Sequence, residues 1–382
     1  MANNLVEGVR KSTLGERLKS ARQEAGFTSA REVALQMPIQ VRVSHATLLS
    51  YERDETTPNM DVLSAIAYVY QCSLTALLSN RAILTGVRYR ALKSKVGVKD
   101  RQRFLAECQR WVEAYANVQQ HLKHELKQTL KFEIRKNEGA KAAAGRLREA
   151  LKLDPHDRLL SVCELLEKMG IWVLEIETDL AIDGIAARYG DISVVFLNVA
   201  VSPDRARLNA AHEAAHHLFG DCMEGGDETP EAEKRAMDFA SYLILTSEML
   251  AEAFCRKSVV DMMKFKERYG ISLSAMVYRA KLEKKISERE YKHLMIEFTK
   301  RGWRKAEPGQ VWPDRSLRFE ALIDSALVSG KQTLSQLASI AGVREEELGR
   351  RLAIATGAEN YREEMEDEEP VIEPRRLKLA SL

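Results

Sequence analysis

The sequence predicts a multidomain, mainly α protein, with an N-terminal all-α unit followed by an α+β unit that contains a small antiparallel sheet. Three observations carry this. Residues 13–79 hold short stretches with apolar residues at helical spacing, separated by cap and turn residues. From residue 140 the pattern becomes two helices, then the strand-like runs "IWVLEIE", "GIAARYG" and "DISVVFLNVAV", then helices again. Of 382 residues, 45% are hydrophobic and 30% charged, which is the composition of an ordinary globular chain long enough for two or three domains.

Composition also narrows function. A net charge of +2 gives no whole-chain argument for nucleic-acid or membrane binding, so any such argument is local. The five cysteines (Cys72, Cys108, Cys163, Cys222, Cys255) form no CxxC pair, as expected of free thiols in a reducing compartment. The first residues lack an apolar signal region, and no apolar run approaches the ~20 residues that span a bilayer. A cytoplasmic protein without a membrane partner is the expectation.

The elements follow in order. "TLGERLKSARQEAGF" places Leu14, Leu18, Ala21 and Ala25 on one helix face, closed by Gly26. "TSAREVALQM" opens with Ser29 and Glu32, a capping-box signature. A third helix starts near Ser44 in "VSHATLLSYERDETTP", and "NMDVLSAIAYVYQCSLTALL" closes the unit. Helices two and three have a helix-turn-helix layout. These segments resemble the Cro-repressor (XRE) class of DNA-binding domains, with Val43, Ser44, Thr47, Leu48, Glu52 and Pro58 fitting its pattern. Two departures stand: "MPIQVRV" is longer than the usual turn, and Ser29 replaces a glutamine. The resemblance implies a double-stranded DNA operator as partner, met by Ser44, His45, Thr47 and Ser50 at the start of the third helix, and a homodimer. Arg17, Arg22, Arg42 and Arg53 are candidates for phosphate contact.

The unit is expected over 10–80, followed over 81–139 by a basic helical linker with Leu105, Trp111, Tyr115 and Val118 at helical spacing. The α+β domain is placed at 140–300, with a β-hairpin turning at Gly190 and Asp191. A C-terminal helical subdomain is placed at 301–357, with helix-turn-helix-like spacing around Gly342 read as packing. Residues 358–382, an acidic run with a short basic end, read as a disordered tail.

Within the α+β domain, "RLNAAHEAAHHLFGD" sets His212 and His216 four residues apart on the apolar arc of Leu208, Ala211, Ala215 and Phe219. Two histidines one turn apart with a Glu after the first is the HExxH arrangement: the imidazoles bind Zn²⁺ and Glu213 acts as general base. His217 points outward and is not a ligand on this reading. A catalytic zinc site needs a third protein ligand. Glu231, Glu233 and Asp238 lie on the next helix, and periodicity places Glu233 at the centre of its buried arc beside Ala236, Met237, Ala240, Leu243 and Ile244. Glu233 is therefore selected.

Two longer stretches, "DGIAARYGDISVVFLNVAVSPDRARLNAAHEAAHHLFGD" and "EKRAMDFASYLIL", with "ISLSAMVYRAKLEKKISEREY", resemble the ImmA/IrrE family of metallopeptidases. The departures are Arg235 for a second Glu, Met237 for Asn and Thr246 for Pro. The resemblance implies a zincin-like domain with His212, His216 and Glu233 as ligands and Glu213 as base. It further implies a zinc endopeptidase that cleaves a protein, a repressor or regulatory partner, under a fused DNA-binding regulator. An extended substrate is expected to add along an edge offered by "DISVVFLN". The alternative is a transcriptional regulator whose peptidase-like domain senses a metal or ligand and cuts nothing.

Overall fold

The computed structural model describes residues 13–78, 82, 84–91, 96–222, 229–256, 258–304 and 306–356. The expected acidic tail lies outside these residues. Contacts divide the described chain into two units, 13–113 with 125–316 and 114–124 with 317–356. No helix among the described residues is long and apolar enough to cross a membrane.

The first unit begins with α1 (Leu14–Glu24), α2 (Ala30–Gln36), a 3₁₀ turn (Ile39–Val41), α3 (His45–Glu52), α4 (Met60–Val69) and α5 (Leu74–Leu78). Local chemistry sets these ends. Thr13 and Glu16 form a capping box on α1, and Gly26 follows it with φ 82°. Ser29 caps α2, but Glu32 turns its carboxylate to Thr28 instead of completing the box. Leu18, Val33, Leu48, Leu63 and Ile66 are buried together as the core of these helices. Arg22 on α1 is no phosphate contact: it is buried in an ion pair with Glu52 of α3 at 2.6 Å.

Strand β1 (Leu84–Ala91) follows, then the long α6 (Val98–Leu122). β1 replaces helix where the sequence reading expected it. "VRYRA" alternates apolar and basic residues with a period of two, as a strand does, although the buried member is Arg88 and Val87 is half-buried. Residues 124–135 also lack helix or strand.

Next come α7 (Ala140–Ala150), α8 (Val162–Lys168), β2 (Trp172–Ile176), β3 (Ile182–Tyr189) and β4 (Ile192–Asn198). The helical layer continues with α9 (Pro203–Leu218), α10 (Pro230–Ile244), α11 (Ser247–Ala253), α12 (Val259–Tyr269), α13 (Leu273–Leu282) and α14 (Glu288–Lys300). The sheet runs β1-β3-β4-β2. β1 and β4 flank β3 antiparallel, whereas β2 pairs parallel with β4. The sheet is therefore mixed and not antiparallel throughout, because the β3–β4 hairpin returns its second strand beside β2. This arrangement also places β4 between two partners. The expected substrate edge along "DISVVFLN" is closed, since both its hydrogen-bonding sides are taken.

α9 lies on β3 and β4 and packs against α10, with Ala210, Ala211, Ala215, Ala236, Phe239 and Ala240 fully buried. The alanines let the two helices and the sheet come together closely. Residues 301–316, read from the sequence with the C-terminal helices, fold back onto this unit: Asp314 pairs with Arg207, and Arg315 with Glu175 at 2.6 Å.

The second unit joins the end of α6 to α15 (Arg318–Val328), α16 (Leu334–Ala341) and α17 (Glu345–Thr356). Tyr115 meets Phe319 edge-on at 5.7 Å, Arg351 pairs with Glu320, and Gly342 (φ 75°) ends α16.

Candidate metal centre

Pro203 at the first turn starts α9, and an alanine-rich run free of β-branched residues carries it to Leu218. Its inner face holds His212, Glu213 and His216, exposed by only 2%, 0% and 1%. Across from it, Thr229 caps α10 by accepting the Ala232 N–H at 3.1 Å, and Pro230 follows at the first helical position. That start aims Glu233 at the histidines.

The three side chains converge. His212 Nε2 and His216 Nε2 are 3.1 Å apart, and each lies 3.3 Å from an oxygen of Glu233. In a tetrahedral zinc site with Zn–N and Zn–O bonds of about 2.0–2.2 Å, neighbouring ligand atoms sit roughly 3.3–3.5 Å apart. The observed edges are close to that spacing, so the residues present fit a tetrahedral cation. They form a His-His-Glu group capable of holding a metal. Glu233 is not at the centre of the buried arc, as periodicity had it. Its side chain is 42% exposed, and Ala232, Ala236, Phe239 and Ala240 occupy the buried face. It sits where it does because the α9–α10 packing leaves that flank open over the histidines.

Electrostatics tie the group together. Burial pushes the His216 imidazole down, yet hydrogen bonds to Asp221 and Glu233, with the nearby Glu213 charge, outweigh it and lift the pKa to about 9. Burial raises Glu233, and its hydrogen bonds to His212 and His216 overcome this to hold the carboxylate well below its usual range. The centre thus pairs the Glu233 carboxylate with the two imidazoles, and a cation bound there would take the place of the imidazole proton.

Glu213 lies beneath β3. A Cβ on Gly184 would stand 2.9 Å from the Phe196 carbonyl oxygen and 3.4 Å from Glu213 Cγ, so β3 passes this close only because residue 184 is glycine.

Asp221 was not found from the sequence. Its carboxylate meets His216 Nδ1 at 3.0 Å and Arg235 Nη2 at 2.6 Å. An acid five residues after a ligand, just past a glycine, was the available signal.

His217 turns inward, contrary to expectation. Its Nε2–H donates to the Val194 carbonyl at 3.0 Å, and burial pushes its pKa down to about 4. The folded group protonates near 4 and the unfolded one near 6.5, so between these values the unfolded chain binds more protons. Stability should therefore fall as pH drops through that window, by up to about 3 kcal/mol. His217→Gln should flatten this slope in urea titrations from pH 7 to 4.5, and an unchanged slope would clear His217 as its source.

Of the residues expected to meet DNA, Ser44 caps α3 by accepting the Thr47 N–H at 3.1 Å, and Ser50 shares a hydrogen bond with Thr56 at 3.0 Å. Ser44 and His45 are exposed, and Thr47 and Ser50 are half-buried. They are brought together at one end and along one side of α3, well apart in the sequence from the metal centre.

Residues 166–281 match the family model Peptidase_M78, described as the IrrE N-terminal-like domain. The match takes in β2 to β4, α9, α10 and the His-His-Glu group, and this part of the chain is a metallopeptidase-like domain. No curated protein matches the chain.

Proposed function

We propose that this protein is a DNA-binding regulator carrying a zinc-dependent endopeptidase domain that cleaves a protein, a repressor or regulatory partner. One observation carries the reading: His212, His216 and Glu233 converge at 3.1–3.3 Å with Glu213 beside them, inside the metallopeptidase-like segment. His212, His216 and Glu233 would hold the ion. When bound, zinc supplies Lewis-acid polarisation of a scissile carbonyl and of the attacking water. Glu213 takes the proton from that water and delivers it to the leaving amine.

The DNA-binding part rests on the N-terminal helices. α2 packs on α3, and α3 offers Ser44, His45, Thr47 and Ser50 for a major groove, with a homodimer spanning two half-sites. The turn between the helices is lengthened by the 3₁₀ segment Ile39–Val41.

The second reading, a regulator whose peptidase-like domain senses a metal or ligand without cutting, is favoured by a specific feature. Glu213 is 0% exposed, and β1 takes the side of β3 that faces away from β4.

Zinc content per chain tests the metal centre. After a mild chelator wash, the wild type should retain close to one zinc, and Glu233→Ala should fall below about a tenth of that because only two ligands remain. Absence of zinc from both proteins would sink the peptidase reading.

A further inference from the structure

The end of the histidine helix has its own structure. Gly220 follows Phe219, the C-cap of α9, with φ 77° and donates its N–H to the His217 carbonyl at 3.2 Å. Asp221 donates its N–H to the His216 carbonyl at 2.8 Å. These two bonds form a Schellman turn. The turn folds Asp221 back over the last helical turn, where its carboxylate accepts His216 Nδ1–H at 3.0 Å.

Asp221 is itself held from two directions. Arg235, two residues beyond Glu233 on α10, reaches its Oδ1 at 2.6 Å while stacking over Phe219 at 4.7 Å. From β1, the buried Arg88 donates Nε to the Asp221 backbone carbonyl at 2.8 Å. The same strand lies flush on this turn, because a Cβ at Gly86 would stand only 2.1 Å from the Cys222 carbonyl oxygen. A carboxylate on the far nitrogen of a metal-binding histidine fixes its tautomer, aims its ring and raises its basicity.

We propose that Asp221 is the positioning residue for His216, seated by Arg235 and by Arg88, so that the strand following the N-terminal helices holds one corner of the metal centre. The inference rests on the metal reading above and adds a dependence on β1, which precedes the matched segment in the chain. Arg88 acts on the backbone of the turn and Arg235 on its side chain. Together they leave Asp221 little freedom to turn away from the imidazole.

The test uses the full chain, stripped of metal and titrated with Zn²⁺ and Co²⁺ against a chromophoric chelator. Asp221→Ala should weaken binding of both metals by about 10–100-fold and shift the visible Co²⁺ spectrum. Asp221→Asn keeps an oxygen for Nδ1–H and should recover most of that loss. Arg88→Ala should weaken binding severalfold with the site residues untouched. Unfolding of the metal-free proteins, run in parallel, separates a general loss of fold from a local effect. Wild-type affinity and an unchanged Co²⁺ spectrum in Asp221→Ala would overturn the positioning role. An Arg88→Ala protein indistinguishable from wild type would overturn the seat on β1. A wild type that takes up neither metal would overturn the metal reading, and this inference with it.

Discussion

Glu213→Gln should load zinc as the wild type does and lose peptide hydrolysis by about 10²–10⁴-fold, the usual contribution of a general base. The substitution keeps the shape of a side chain that is 0% exposed under β3, so packing around Gly184 is preserved. What is removed is the ability to accept a proton. The assay is cleavage of an unfolded protein probe, such as denatured casein, with zinc measured on the same samples. Hydrolysis that survives at the wild-type rate would place the base elsewhere. Zinc bound by both proteins with no hydrolysis by either would favour the sensor reading.

The second large effect is on stability. Asp314 and Arg207 form an ion pair whose side chains are 3% and 2% exposed. Asp314 also accepts from Ser161 Oγ at 2.6 Å and from the Val162 N–H at 2.7 Å, which caps α8. Arg207 donates to the Leu159 and Leu160 carbonyls and lies on α9, five residues before His212. One carboxylate thus pins two helices. Asp314→Ala should cost about 3–5 kcal/mol, because it strands a buried guanidinium. Urea unfolding measures it. Adding Arg207→Met should recover a large part of the loss, since no buried charge is then left unpaired. A double variant as unstable as the single one would show that capping of α8, and not the charge pair, carries the effect.

Much of the candidate metal centre was legible because its information is local. His212 and His216 share a helix face through a fixed period, and Thr229 and Pro230 announce the start of α10. Glu233 was legible as one of three acids on α10, but the helix period placed it on the buried arc, whereas its side chain is 42% exposed. The helices of the N-terminal unit were legible for the same reason, through Ser29 and Ser44 at helix starts and Gly26 as a stop.

The misses share a cause. Whether β4 is an edge depends on where β2 returns, and whether Arg22 meets solvent depends on the position of Glu52, 30 residues away. β1 was hidden because its partner, β3, lies about 100 residues further along the chain, and a short alternating run carries little signal without that partner. Asp221 sits near His216 in sequence, but its role needed the left-handed Gly220 and two arginines from β1 and α10.

The sequence by itself determined the mainly helical character, the helix ends, and the residue types and spacing of a His-His-Glu centre, because helical period and capping act within a few residues. Only the tertiary structure decided the mixed sheet, the closure of β4, the inward turn of His217 and the seating of Asp221. Each of these depends on which distant backbone group meets a given side chain, and no periodicity within one element encodes that.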